Sequence, residues 1–99
     1  MKKEKIIEVV NNYEQVLRAL GYEPKMASLT DLAGDASEQF AHVLHMGNAI
    51  KELLENDQYG KVNRWLGFQQ GVLWSQGVLP IATMMDHNRP DGSIFSISK

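Results

Sequence analysis

The chain has 99 residues, a mass of 11.2 kDa, no cysteine, and ten basic against twelve acidic side chains, for a formal net charge of −2. That length argues for one domain, in which roughly 60–68% of the unfolded chain's surface can be buried. The composition excludes disulfides and thiolate chemistry, argues against a dominant nucleic-acid or anionic-membrane partner, and contains no apolar run of about 18 residues able to span a bilayer.

In chain order, residues 3–20 predict the first helix. Ile6, Val9, Val10, Tyr13, Val16, Leu17 and Leu20 recur at three- and four-residue spacing and so share one stripe. Glu14 and Arg18 form an i,i+4 pair on the outer side. Gly21 supplies a left-handed stop and Pro24 prevents resumption. Residues 22–34 read as a linker with room for one helical turn, because Ser28 and Asp31 have capping-box spacing.

Asp35 and Glu38 repeat that spacing ahead of the longest periodic run, which predicts a second helix to about residue 56. Ala36, Phe40, Val43, Leu44, Gly47, Ile50 and Leu54 fall on one face, with His42, Met46, Ala49 and Leu53 on the flank. A helix so widely apolar needs more than one packing partner, and a subunit interface is a natural source of the second. After a polar connection, residues 61–76 predict a third helix with Val62, Trp65, Leu66, Gln69, Val72, Leu73 and Gln76 in one stripe. Gly77 closes it, and Pro80 opens a short fourth helix, residues 80–87, expected to turn Ile81, Met84 and Met85 inward. Arg89, Pro90, Asp91 and Gly92 carry a turn signal. The expected architecture is an all-α, antiparallel bundle of three main helices plus a short fourth, spanning residues 1–92 and completed by homo-oligomerisation. Residues 93–99 are expected to form a C-terminal tail or docking arm.

The stretch from Arg64 to Trp74 departs from a generic amphipathic helix. Both tryptophans lie in it, and Gly67 and Gly71, four residues apart, each cost about 1 kcal/mol relative to Ala. They suit either close approach of a neighbouring helix or a shallow slot between Phe68 and Trp74 with Arg64 at one end. An arginine near aromatic faces suits anionic, planar ligands such as nucleotides. Gln69 sits within the apolar stripe, where a buried amide needs a partner, and Gln70 is the more accessible amide. Arg64, Trp65, Phe68, Gln69, Gln70 and Trp74, joined by Asn88 and Arg89 beyond the fourth helix, are therefore the candidate ligand-binding residues. His42, His45 and His87 offer only a weak metal pattern, and no nucleophile–base pair, Walker loop or dinucleotide fingerprint is present. The expectation is a non-enzymatic protein without metal or cofactor.

The run Arg64 to Trp74, followed by Gly77 and Val78 and then by Asp86, His87, Asn88 and Arg89, resembles small helical proteins that recur in bacteriophage genomes. In these an R-W-L-G-F-x-Q-G-V-L-W core precedes an acidic helix ending in D-H-N-R. The likeness extends over residues 36–89 and departs at residues 79–82, where that pattern has a Ser or Thr cap followed by acidic residues. It implies a phage source, and hence the cytoplasm of the host cell. Small phage proteins without catalytic motifs act by stoichiometric binding. The leading expectation is an oligomeric sponge for a nucleotide-derived signal of host immunity. The alternative is an inhibitor or adaptor that binds a host or phage protein through an apolar helix face, the flank of the second helix being the candidate surface.

Overall fold

The computed structural model describes residues 2–88, so Arg89, the turn signal that starts with it and the expected tail at 93–99 lie outside the described residues. Within them the chain is all-helical: α1 (Lys3–Ala19), α2 (Ala36–Glu55), α3 (Tyr59–Ser75) and α4 (Ile81–His87), with no strand. No helix among the described residues is long and apolar enough to cross a membrane.

The central layer is α2, which packs against α1 and α3. It begins at a true cap: Asp35 Oδ1 accepts the Glu38 backbone N–H at 3.0 Å, satisfying one of the four donors a helix start leaves open. Its buried face, Phe40, Val43, Leu44, Gly47, Ile50 and Leu54, meets Ile6, Val9, Val10, Tyr13 and Leu17 of α1 and Val62, Leu66 and Leu73 of α3 in one core. Each fully buried aliphatic side chain is worth roughly 1.5–3 kcal/mol relative to exposure. Gly47 marks the closest approach: a Cβ there would stand 3.2 Å from Val10 Cγ1 and 3.4 Å from Gln69 Nε2.

The three long helices close in the same way. Tyr22 N–H bonds Leu17 O and Gly21 N–H bonds Arg18 O. Gln58 and Asp57 repeat this on Leu53 and Leu54, and Val78 and Gly77 on Leu73 and Trp74. Each is a six-to-one and five-to-two pair around a residue with positive φ: Gly21 at 96°, Asp57 at 56° and Gly77 at 74°. The two glycines are legible stop signals. Asp57 is not, although a short acidic side chain tolerates this conformation better than most.

Four sequence expectations change. Leu20 is exposed because α1 ends before it and the Gly21 turn carries it off the stripe. Gln76 is exposed and donates to Gln39 Oε1 at 2.9 Å. Residues 22–35 contain no helical turn; Ser28 Oγ accepts the N–H groups of Thr30 and Asp31 without starting one. The flank of α2 is not spare. Lys25 N–H bonds Ala41 O at 3.0 Å, Ala27 N–H bonds His42 Nδ1 at 3.1 Å, and Met46 is 6% exposed.

Gly21→Ala and Gly77→Ala are each expected to lower stability by about 1 kcal/mol, because a Cβ is unfavourable at positive φ. Asp57→Gly is expected to be neutral or mildly stabilising. Chemical denaturation of the three variants checks this ordering.

Candidate functional site

The residues singled out on α3 divide by direction. At 100° per residue, Val62, Leu66, Gln69, Gln70 and Leu73 occupy the inner half of the helix, and all are buried. Arg64, Gly67, Phe68, Gly71 and Trp74 occupy the outer half, and all are exposed. Trp65 lies between the two, partly buried against the core, with Lys61 Nζ 5.1 Å from its ring centroid.

Phe68 is 54% and Trp74 52% exposed. The Phe68 ring meets the His42 ring edge-on at 6.1 Å. Between Phe68 and Trp74 a Cβ on Gly67 or Gly71 would meet no atom within 4 Å. These glycines therefore serve no helix–helix approach among the described residues. Arg64 makes no ion pair among the described residues and shares this face.

Trp74 also borders an apolar groove of about 270 Å³, lined with Gln70, Gly71, Ile81, Met84, Met85 and Asn88. Here the structure departs from expectation: Met84 is buried, whereas Ile81 (53%) and Met85 (47%) face outward beside Trp74. With Met84 alone of these three turned inward, so short a helix has only a narrow buried edge. The groove takes in neither Arg64 nor Phe68, so the slot expected between the aromatic rings is an open face with its concavity displaced toward α4. A larger concavity, about 810 Å³, runs along the polar side of α1 past Glu4, Lys5, Glu8, Asn12 and His87. It is open, mixed in charge and contains none of the aromatic residues of α3.

The amides are engaged inside. Gln69 Nε2 donates to Val43 O of α2 at 2.8 Å. Its Oε1 has no protein hydrogen-bond partner, and the residue lines a cavity of about 10 Å³, room for about one water. Gln70 Nε2 donates to Tyr13 Oη at 3.0 Å and to Asn88 Oδ1 at 2.8 Å, while Gln70 Oε1 accepts from Asn88 Nδ2 at 2.9 Å. Tyr13 Oη also lies 2.8 Å from His87 Nδ1. One assignment that satisfies both groups has the phenol, accepting from Gln70, donate its proton to Nδ1 of His87 as the Nε2–H tautomer. Gln70, His87 and Asn88 thus form a latch that binds α4 to α1 and α3, with Tyr13 as the member that sequence reasoning placed only in the core. Its signal was a single hydroxyl in an otherwise aliphatic stripe.

Burial pushes the Tyr13 phenol up to about 12, against the opposing effect of the Gln70 bond. Burial, and then the charge of Lys5, pull the His87 imidazole below its usual value, with Asp86 and Glu8 opposing. Burial and then His45 do the same to His42. The His42 and His45 rings stack at 5.8 Å, but no group of three His, Asp or Glu among the described residues is placed to hold a metal ion.

The latch has a pH signature. An unfolded imidazole takes up its proton near pH 6.5, the folded one only at lower pH. The unfolded chain then binds more protons, so stability falls as pH drops from about 6.5 through the folded value. On the alkaline side, an unfolded phenol ionises near pH 10 and buried Tyr13 near 12, so stability falls again above about pH 10. The melting temperature is expected to hold from about pH 7 to 9 and decline on both sides. His87→Gln, which keeps an acceptor for Tyr13 but does not titrate, is expected to make the acid limb shallower, with His42 supplying the remainder; an unchanged limb in this variant would remove His87 as a source.

Comparison of the chain with models of protein families, with curated proteins and with solved structures finds no match.

Proposed function

We propose that the chain is a non-enzymatic binding protein whose working surface is the outer face of α3, and that this surface receives an apolar helix of another polypeptide. The observation that carries the reading is the exposure of Phe68 and Trp74 on either side of two glycines that face open space. Gly67 and Gly71 weaken α3 by about 1 kcal/mol each, and no contact among the described residues requires either. A strip without side chains between apolar flanks lets a second helix backbone come close, as small residues do at other helix crossings. Ile81 and Met85 extend the apolar surface beyond Trp74. The reading takes the four helices as an antiparallel bundle, which the three-residue connection between α2 and α3 favours. It also fits a phage-type adaptor or inhibitor, the role suggested by the resemblance of the α3 core, and moves the apolar docking face from α2 to α3.

The oligomeric sponge for a nucleotide-derived signal is the second reading. Arg64 beside Phe68 favours it, since a base could lie on the ring with its phosphate at the guanidinium. Gln69 and Gln70 weigh against it, because both turn inward and their amides are held by Val43, Tyr13 and Asn88.

Titration of the chain at low micromolar concentration with amphipathic helical peptides, followed by amide and indole NMR, tests the docking reading. Shifts are expected at Gly67, Phe68, Gly71 and the Trp74 indole, and are expected to disappear in the Phe68→Ser/Trp74→Ser double variant, which leaves the core untouched. If peptides leave this face unchanged while a cyclic di- or trinucleotide or an ADP-ribose derivative raises the melting temperature by about 2 °C or more, the sponge reading replaces it.

A further inference from the structure

We infer that the helix received by this face is α3 of a second copy of the chain, paired antiparallel about a two-fold axis level with residue 69. The inference rests on the docking reading above and names its partner. Its basis is that the face is complementary to itself. Gly67 and Gly71 stand equally far before and after residue 69, and so do Arg64 and Trp74. Around the helix the two glycines diverge by about 20° to either side of one outward direction, and Arg64 and Trp74 by about 40°. Two-fold rotation therefore sets Gly67 against the partner subunit's Gly71 and brings Arg64 level with the partner subunit's Trp74. Helices whose i±3 ridges pack into i±4 grooves cross at about 20°, opposite in hand to the i±4 class, and a crossing of that hand moves the guanidinium toward the indole face.

Charge selects the same arrangement. Helix α3 contains no acidic residue, so nothing on it can pair with Lys61 or Arg64 as a carboxylate would. Parallel pairing would bring Arg64 against its own copy, like charge on like at an apolar seam. Antiparallel pairing gives each Arg64 an aromatic face instead, a contact that gains from desolvation. Size sets the strength. Phe68, Trp74, Ile81 and Met85 are each about half exposed, so together they offer on the order of 400 Å² of surface per copy. Two such faces bury on the order of 800 Å², below the standard for stable complexes, which fits a weak, transient dimer.

Sedimentation equilibrium of the full chain from about 5 to about 500 µM looks for association of this weak class. The weight-average mass is expected to climb from 11.2 kDa toward twice that value. Gly67→Leu and Gly71→Leu add a Cβ that meets no atom of the described residues within 4 Å, so both are expected to keep their helical circular dichroism and to stay at 11.2 kDa throughout. The register is read by disulfide trapping, for which the absence of native cysteine leaves a clean background. An oxidised mixture of Gly67→Cys and Gly71→Cys chains is expected to yield the mixed dimer above its statistical share. A mass of 11.2 kDa at every concentration overturns the inference, as does association that both leucine variants leave intact, or trapping dominated by like-with-like pairs. A monomer whose α3 face still responds to peptide helices would remove the second copy as partner and keep the docking reading. A monomer that responds to no peptide would remove both.

Discussion

The amide of Gln70 donates to Tyr13 and to Asn88 and accepts from Asn88, so one buried side chain of α3 ties α1 and the end of α4 to itself. Helix α4 has seven residues, well short of the roughly 12–15 at which an isolated helix becomes even marginal in water. It has one buried side chain, Met84, and no side-chain cap. Its position therefore depends on the polar cluster, with the phenol of Tyr13 reaching His87 and the amide pair closing over Asn88. Hydrogen bonds of this kind contribute only about 1 kcal/mol each when made, but a buried partner left alone costs more, so the cluster holds as a unit. The groove beside Trp74 has one wall on α3 and the other on α4, and it exists because this latch does.

The same economy explains the orientation of α3. Gln69 donates to a carbonyl of α2, and its amide also lies against Gly47, where a Cβ would stand 3.4 Å from Nε2. With Gln69 and Gln70 turned inward, the helix has no rotational freedom left, and Arg64, Gly67, Phe68, Gly71 and Trp74 must face out. An exposed aromatic pair is thus a consequence of burying two amides. Either amide could have been satisfied by water on the surface; both are instead used to orient the helix, which leaves the apolar side chains as the part of the motif open to a partner.

The functional reading follows from that inversion. In the sequence, Phe68 and Trp74 flank a possible slot, Gln69 reads as a buried amide in need of a partner and Gln70 as the accessible one. In the fold, the glutamines are the internal fastening and the aromatic residues are the surface. A binding role that asks for amides loses support, and one that asks for a flat apolar face with a single cation gains it. The flank of α2 has the opposite history, since residues 25–27 lie against it through hydrogen bonds to Ala41 and His42.

What the sequence determined by itself is whatever depends on near neighbours along the chain. The all-helical class, the stripes of α1 and α2, the Asp35 cap, the glycine stops at 21 and 77 and the Glu14–Arg18 pair at 2.9 Å all follow from spacings of three to five residues. The candidate site was half legible on the same terms, because two glycines between aromatic residues in a helix are a local anomaly. What tertiary structure decided is direction and pairing across long separations. Tyr13 meets His87, Gln70 meets Asn88 and Ala27 meets His42 through contacts that no periodicity encodes. A helical wheel lists which residues share a face but not which face the core takes. When amides and aromatic rings compete for the inside, only the partners brought by other helices settle which of them goes in.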